Sequence, residues 1–423
     1  MITSIVFILL FIGFLFAAYK KDPIFGLMFY VFLYFLNPHY RWWGSFIPNL
    51  PYAFITGIAI FGSYAINYKK YSSVKIFNFP QTKWLFLLLL ILILIWPIAL
   101  VPDEHRKIII LIFKLVLLYI IFIKVTNSPN KMKYLIWAFL IGQLYWGWIA
   151  IGMPRFGGRL EGLGAADSLD SNFTAASVVP AIPLLLNIFI WGNKWERIGT
   201  FVVSAFTVNT LILLNSRGAF LATIFAVFSY TFFYLKTKSS NGLKKSTLIL
   251  TLIIGLSGSL YLTEDIFWRR MYTLEDPSTE GSGYRMITWM GGLKAAIDHP
   301  LGVGRRGFLE ISPKYVPEKL LSNNGKRAVH NTYIQALTDL GFLGFIIFMG
   351  FILSTLNYLN RIKKILILRE RKEEYFLAVA FTASFLGFLF TAIFINLAYI
   401  EMLYLLTAYI AALGNSYNKF LVS

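Results

Sequence analysis

The sequence predicts an all-α, polytopic membrane protein, and three observations carry that prediction. Hydrophobic residues make up 57% of the 423 and charged residues only 14%, against about 45–50% apolar and about 25% charged in a soluble domain. The apolar residues are gathered into blocks of membrane-spanning length that recur along the whole chain. Lysine and arginine collect in every second connection between those blocks, the pattern by which membrane proteins set their topology.

The apolar segments fall at 2–18, 24–36, 51–67, 84–100, 108–125, 134–152, 172–191, 198–214, 219–235, 247–262, 331–357, 375–395 and 397–413. That makes about 13 spans, of which 24–36 is the weakest for a core about 30 Å thick. One set of connections is basic. It holds Lys20 and Lys21, then Lys69 to Lys83, Lys124 to Lys133, Lys194 with Arg197, and Lys236 to Lys245. Its last member, 358–374, carries Arg361, Lys363, Lys364, Arg369, Arg371 and Lys372. The other set is balanced or nearly uncharged: 37–50, 101–107, 153–171, 215–218, 263–330 and 396–400. The positive-inside rule puts the basic set in the cytoplasm and the other set outside, with the N-terminus out and the C-terminus in. The first 21 residues read as a span rather than a cleavable signal, because Lys20 and Lys21 follow the apolar run instead of preceding it.

The formal charge of +19 is then a consequence of topology and of contact with anionic lipid, not a nucleic-acid signal. The chain has no cysteine, which excludes disulfides, thiolate metal sites and a thiol nucleophile. No internal repeat is visible, which weighs against a transporter with duplicated halves.

The organisation is therefore a single integrated membrane domain. Residues 1–262 form N-terminal helices, 263–330 a large outward loop, and 331–423 C-terminal helices. A loop of this length inside a compact domain is usually functional. Within it, 284–299 reads as an amphipathic helix with Trp289, Leu293 and Ala296 on one face. Pro300 stops it, and Gly302, Gly304 and Gly307 make a tight turn.

Chemistry concentrates at the end of that loop. His330-Asn331 is followed by nine residues and then Gly341-Phe-Leu-Gly344. Only four histidines occur in the chain, and one at the water-facing end of a span is placed to act as a general base. Asn331, Gln335, Thr338 and Asp339 continue as a polar stripe into the helix, where polar groups either serve function or bond neighbouring helices. Gly341 and Gly344 allow close helix approach. Arg217, in Asn215-Ser216-Arg217-Gly218, stands at the outer interface, where topology does not call for it. Arg285 opens the loop helix after Gly283-Tyr284. Guanidinium groups fork onto phosphate oxygens, so two outward arginines beside a histidine suit a diphosphate leaving group.

At these residues the chain resembles the O-antigen ligase family and, more broadly, the O-antigen ligase/polymerase superfamily. The family's His-[Asn/Ser/Gln]-x9-Gly-x-x-Gly signature is matched by His330, Asn331, Gly341 and Gly344. Ser216-Arg217-Gly218 matches a superfamily segment, and Arg285, Trp289 and Pro300-Leu-Gly302-Val-Gly304 match its loop pattern. Asn37-Pro38-His39, with Trp43-Gly44 and Pro48 to Pro51, looks like exosortase-associated O-glycosylation ligases. Family relatives read as about 12 spans with both ends inside, one fewer than here.

The resemblance implies a GT-C-type bundle in the bacterial inner membrane with its active site facing the periplasm. It implies a metal-independent, inverting glycosyltransferase without cofactors. The donor would be a glycan on undecaprenyl diphosphate and the acceptor a hydroxyl of a lipid A core sugar. A glycan repeat (polymerase) and a protein Ser or Thr (protein O-oligosaccharyltransferase) are alternative acceptors, and a lipid-linked glycan transporter is a reading from another class. By the same analogy His330 would take the acceptor proton and Arg217 and Arg285 would hold the diphosphate. Tyr284, Asn331, Asn172 and Arg159 would support them, while His39 and Arg155 lie on the same side. His105 and His299 read as surface histidines.

Overall fold

The computed structural model describes residues 2–164, 170–237, 242–263, 268 and 283–417. The first part of the predicted outer loop (264–282, apart from Trp268), the stretch 165–169 and Lys238 lie outside the described residues. The chain is an α-helical bundle; the only strands among the described residues are the two-residue pair β1 (Arg155–Phe156) and β2 (Arg159–Leu160).

The first half contributes α1 (Ile2–Lys20), α2 (Ile24–Leu36), α3 (Tyr52–Ile66), the short α4 (Tyr68–Tyr71), α5 (Gln81–Ile95), α6 (Pro102–Val125) and α7 (Pro129–Gly152). Next come α8 (Ser171–Val178), α9 (Ala181–Trp191), α10 (Lys194–Leu214), α11 (Arg217–Lys236) and α12 (Gly242–Leu262). The outer loop supplies α13 (Gly283–Asp298) and α14 (Gly307–Tyr315). The C-terminal part holds α15 (Thr332–Leu368), α16 (Lys372–Thr391) and α17 (Glu401–Ser416). Every predicted apolar segment lies on one or two of these helices. Nine helical segments among the described residues, with α8 and α9 counted as one, are long and apolar enough to cross a membrane, and two shorter apolar helices lie in the N-terminal quarter. The chain is thus an all-α polytopic membrane protein.

Local chemistry sets the helix ends. Asn193 and Glu196 form a reciprocal capping box at the start of α10. Asp170 caps α8 through the amides of Asn172 and Phe173, and Asn331 caps α15 through those of Tyr333 and Ile334. Asn37 and Asn215 close α2 and α10 in the left-handed conformation, which asparagine tolerates better than most residues. The predicted span 172–191 is two helices, parted at Val179-Pro180; the proline carbonyl is satisfied by Ser384 Oγ at 2.7 Å.

The centre of the bundle is α17. Every one of its residues after Glu401 is buried, and it packs on α6, α7, α15 and α16. It is apolar on all sides and carries small residues, as a fully enclosed helix must. The outward faces expose Leu9, Phe16, Phe228, Leu343 and others. In water such a belt is an aggregation hazard; against lipid it is matched to its solvent.

Side-chain contacts sort the connections into two ends. Asp22 pairs with Lys70 (2.7 Å) and Lys131 (2.8 Å), Lys124 donates to Val74 O, and Asn415 donates to the carbonyls of Ile123 and Thr126. These contacts gather basic connections together. Arg41 donates to Leu163 O, Asn215 to Gly158 O and Leu100 N to Val303 O, gathering the charge-poor set.

Four sequence expectations are corrected here. The buried face of α13 is Thr288, Gly291, Gly292, Ala295 and Ala296, whereas Leu293 is exposed. The glycines let the helix backbone come close: a Cβ on Gly291 would stand 2.8 Å from Tyr315 O and one on Gly292 2.6 Å from Ile334. The outer connection near the C-terminus spans 392–400 rather than 396–400, because α16 stops at Thr391 and the turn carbonyls of Ala392 and Ile395 bond to Thr332 instead. At the other end of α15 the helix continues through Leu368, so 358–368 is helical rather than loop. His105 is fully buried, not at the surface. Its Nδ1 accepts from Arg305 N (2.9 Å), leaving Nε2–H to donate to Leu92 O (2.8 Å), so it ties α5 and α6 to the outer loop.

Gly341 also differs from expectation. It is not a helix-packing residue but a break in α15, at φ 67° and ψ −175°, a region essentially confined to glycine. Beyond it the ladder resumes, and the freed carbonyls of Thr338 and Asp339 accept from Val303 N (2.9 Å) and Gly304 N (3.0 Å). Phe342 N donates to Pro300 O (3.0 Å). The Pro300–Gly304 turn is therefore plugged into the broken helix, backbone to backbone, which meets the demand that polar groups at membrane depth be paired. Gly344 does lie against a neighbouring helix, with Ile91 of α5 3.5 Å from where its Cβ would stand.

Candidate functional site

The backbone around His330 is held from both sides. Val329 is buried in the small core of the outer loop. On the other side, Asn331 N donates to Asn396 Oδ1 (3.0 Å), Thr332 N to Ala392 O (2.8 Å) and Thr332 Oγ1 to Ile395 O (2.6 Å). Between these anchors His330 sits at φ 51°, a left-handed conformation uncommon outside glycine, although histidine adopts it more readily than most residues. The Asn331 side-chain oxygen is engaged in capping α15.

His330 keeps an exposed surface, and no hydrogen bond reaches its ring from the described residues. Protein nevertheless encloses it at slightly longer range, so a ligand can reach the ring while water solvates its cation poorly. Its pKa is held below the ordinary histidine range by this enclosure first, then by the positive charges of Arg285 and Arg327. Asp170 pulls the other way by less. The neutral, proton-accepting form therefore persists to lower pH than in a free imidazole.

Of the predicted arginines, Arg285 acts on His330 directly and Arg217 lies beyond it, next to Arg285. Arg285 feels the charges of Arg217 and Arg327, and together with burial they hold its pKa below the usual arginine value. Arg217 in turn feels Arg159. The turn 392–396 lies between them: Phe394 is 3.3 Å from where a Gly218 Cβ would stand, and the Arg285 guanidinium is 5.9 Å from its ring. Asn172 Oδ1 accepts from Arg159 Nη2 and from Ser216 Oγ, both at 2.9 Å, which fastens β2, α8 and the start of α11 together. Glu161 lies 3.7 Å from Arg159 Nε and binds Ser171.

Arg327 is the residue that sequence reasoning missed. It stands three positions before His330, its guanidinium over the Tyr284 ring at 5.9 Å and bonded to Leu320 O. Its signal was available: it is a further arginine in a connection where topology calls for none. Phe394 was hidden inside the apolar segment 375–395, and Asn396 stood unmarked in the predicted connection 396–400.

Other predicted positions lie elsewhere. His39 packs at 6.3 Å from Tyr52 in the N-terminal corner, and Arg155 is exposed on β1. Arg41 locks that corner by donating to Phe35 O, Leu36 O and Leu163 O. The polar stripe Gln335, Thr338 and Asp339 is buried against the break in α15 and the turn before α17, with Gln335 donating to Asp339 and accepting from Ala398 N. Among the described residues no group of histidine and carboxylate side chains is arranged to hold a metal ion.

Arg159, Arg217, Arg285 and Arg327 are all half-buried. Neither Arg285 nor Arg327 has a carboxylate partner among the described residues. Half-buried like charges cost free energy unless an anion meets them.

Residues 200–349 match a family described as O-Antigen ligase. The chain carries an O-antigen ligase family domain. The domain spans α10 to the middle of α15 and so includes Ser216-Arg217-Gly218, Arg285, Arg327 and the His330–Gly344 motif. Among curated proteins none matches the chain. Within the matched residues, Arg217, Arg285, and Arg327 with His330 come from three separated stretches, and Arg159 joins them from outside the match.

Arg327→Gln removes a positive charge that opposes imidazolium formation, so the His330 pKa rises toward its ordinary value. The acidic limb of a kcat/KM profile for transfer should move to higher pH in this variant. An unmoved limb would detach that limb from His330.

Proposed function

We propose that the chain transfers a glycan from undecaprenyl diphosphate to a hydroxyl of a lipid A core sugar, as a metal-independent inverting glycosyltransferase of GT-C type at the periplasmic face of the inner membrane. The observation that carries this reading is a reachable neutral histidine beside a half-buried arginine cluster at the charge-poor end of the bundle. His330 takes the proton of the acceptor hydroxyl as its oxygen attacks the anomeric carbon. The bond from that carbon to the diphosphate oxygen breaks from the opposite side, which inverts the centre. The departing diphosphate carries its charge onto Arg217 and Arg285, with Arg327 as a third cation. Arg159 and Asn172 hold the start of α11, Tyr284 shields Arg327, and Asn331 orients the helix behind the base.

The test is reconstitution of the full chain with a lipid-diphosphate glycan, in the presence of EDTA, with three acceptors offered separately: lipid A core, a second glycan repeat and a Ser/Thr protein. Transfer to lipid A core is the expected result. Transfer only to the repeat, or only to protein, reassigns the acceptor. Absence of transfer to all three, with intact folded protein, overturns the reading.

A further inference from the structure

The far end of α15 holds a second basic site, unrelated to the first. Lys363 lies about 48 Å along the helix from Asn331, taking about 1.5 Å per residue. Its side chain is 7% exposed. The ammonium stands 4.6 Å from the Phe233 ring centroid and has neither an ion pair nor a hydrogen bond among the described residues. It borders a cavity of about 710 Å³ formed by α11, α15 and α16. Arg361, Lys364 and Asn357 line the same space, with Tyr375 on the opposite wall, where its hydroxyl is 3.2 Å from Thr237 Oγ1. No carboxylate lines it. Glu370 lies in a smaller adjoining cavity of about 240 Å³, beyond Ile367 and Tyr375. The undescribed stretches 238–241 and 418–423, which connect to this end of the bundle, contain no Asp or Glu.

A buried ammonium facing one aromatic ring is incompletely compensated, since a cation–π contact stabilises far less than burial of the charge costs. Three cations around one cavity, with amide and hydroxyl donors between them, are the chemistry of a phosphate pocket. We propose that this cavity binds the phosphate group of an anionic ligand at the face of the bundle that carries the basic connections. The flanks indicate the source. Phe228, Phe232 and Leu235 of α11 and Leu353 of α15 are exposed apolar residues, so a lipid with its headgroup phosphate on Lys363 would lay its chains along an apolar surface. Basic pockets between helices on this side of a membrane serve anionic lipid in this way.

The experiment is native mass spectrometry of the full chain in detergent, offered phosphatidylglycerol, phosphatidylethanolamine or inorganic pyrophosphate. The wild type should retain phosphatidylglycerol over phosphatidylethanolamine. Lys363→Met, which keeps the apolar stem, should weaken that retention about tenfold, and Lys363→Arg should restore most of it. Binding of pyrophosphate with the same dependence on Lys363 supports the site and assigns it to a soluble phosphate. Equal retention of the two lipids by the wild type without pyrophosphate binding overturns the proposal, and so does undiminished retention by Lys363→Met. Should Lys363→Met fail to fold, the surface pair Arg361→Gln with Lys364→Gln is read instead: weaker phosphatidylglycerol retention supports the site and unchanged retention overturns it.

Discussion

His330→Ala is expected to lower transfer by about 10³-fold or more, the scale on which a positioned general base contributes, while membrane insertion and thermal unfolding stay close to wild type. The ring has no hydrogen bond to lose among the described residues, and its backbone is pinned through Val329, Asn331 and Thr332 rather than through the imidazole. His330→Asn is the cleaner variant, because asparagine tolerates the left-handed conformation that the position demands. If either variant transfers glycan at the wild-type rate, His330 is not the base. Loss of transfer accompanied by a large fall in Tm would instead mark the histidine as a structural element of the turn.

The second large effect is expected at Gly341, where Gly341→Ala should destabilise the protein by roughly 3–5 kcal/mol. A Cβ there would stand 2.3 Å from Pro300 O and 2.5 Å from the Leu301 carbonyl carbon. Both are backbone atoms with no rotamer to yield. The backbone conformation is itself one that other residues avoid. Relief requires the Pro300–Gly304 turn to withdraw, which strips Thr338 O and Asp339 O of their donors at membrane depth. The same withdrawal pulls on α13, so Arg285 and His330 should lose their alignment and activity should fall with stability. Thermal unfolding in detergent reads the effect. Gly57→Ala serves as control, since open space surrounds the position where its Cβ would stand and alanine suits a helix interior. Equal Tm values for wild type and Gly341→Ala would remove the plugged turn from the account.

Gly341 also shows where sequence reading stops. The spacing Gly341-x-x-Gly344 is the usual mark of close-packed helices, and Gly344 does face Ile91 of α5, at ordinary van der Waals range. Gly341 obeys a different demand, set by a turn some 40 residues earlier in the chain. No local pattern encodes that pairing. Leu293 failed for a related reason. Helical periodicity selected the face with the largest apolar residues, but small residues won because α13 packs by backbone approach. His105 read as a surface histidine, yet the outer loop folds over it. Arg327 escaped notice among the other charges of a polar loop.

The sequence by itself determined the class of the protein, most of the helices, the two ends of the bundle and, Arg327 apart, the residues on which chemistry is proposed. Apolar period, segment length and loop charge are local quantities, and the bilayer reads each of them segment by segment. Tertiary structure alone decided that Arg159, Arg217, Arg285, Arg327 and His330 share one electrostatic neighbourhood. It also decided that the histidine is strained yet reachable and that Lys363 is buried beside a basic cavity at the opposite end. Those facts depend on which distant backbones touch and on how much water is left between them. The physical reason is that desolvation and Coulomb energy act through space, whereas a sequence specifies neighbours only along the chain.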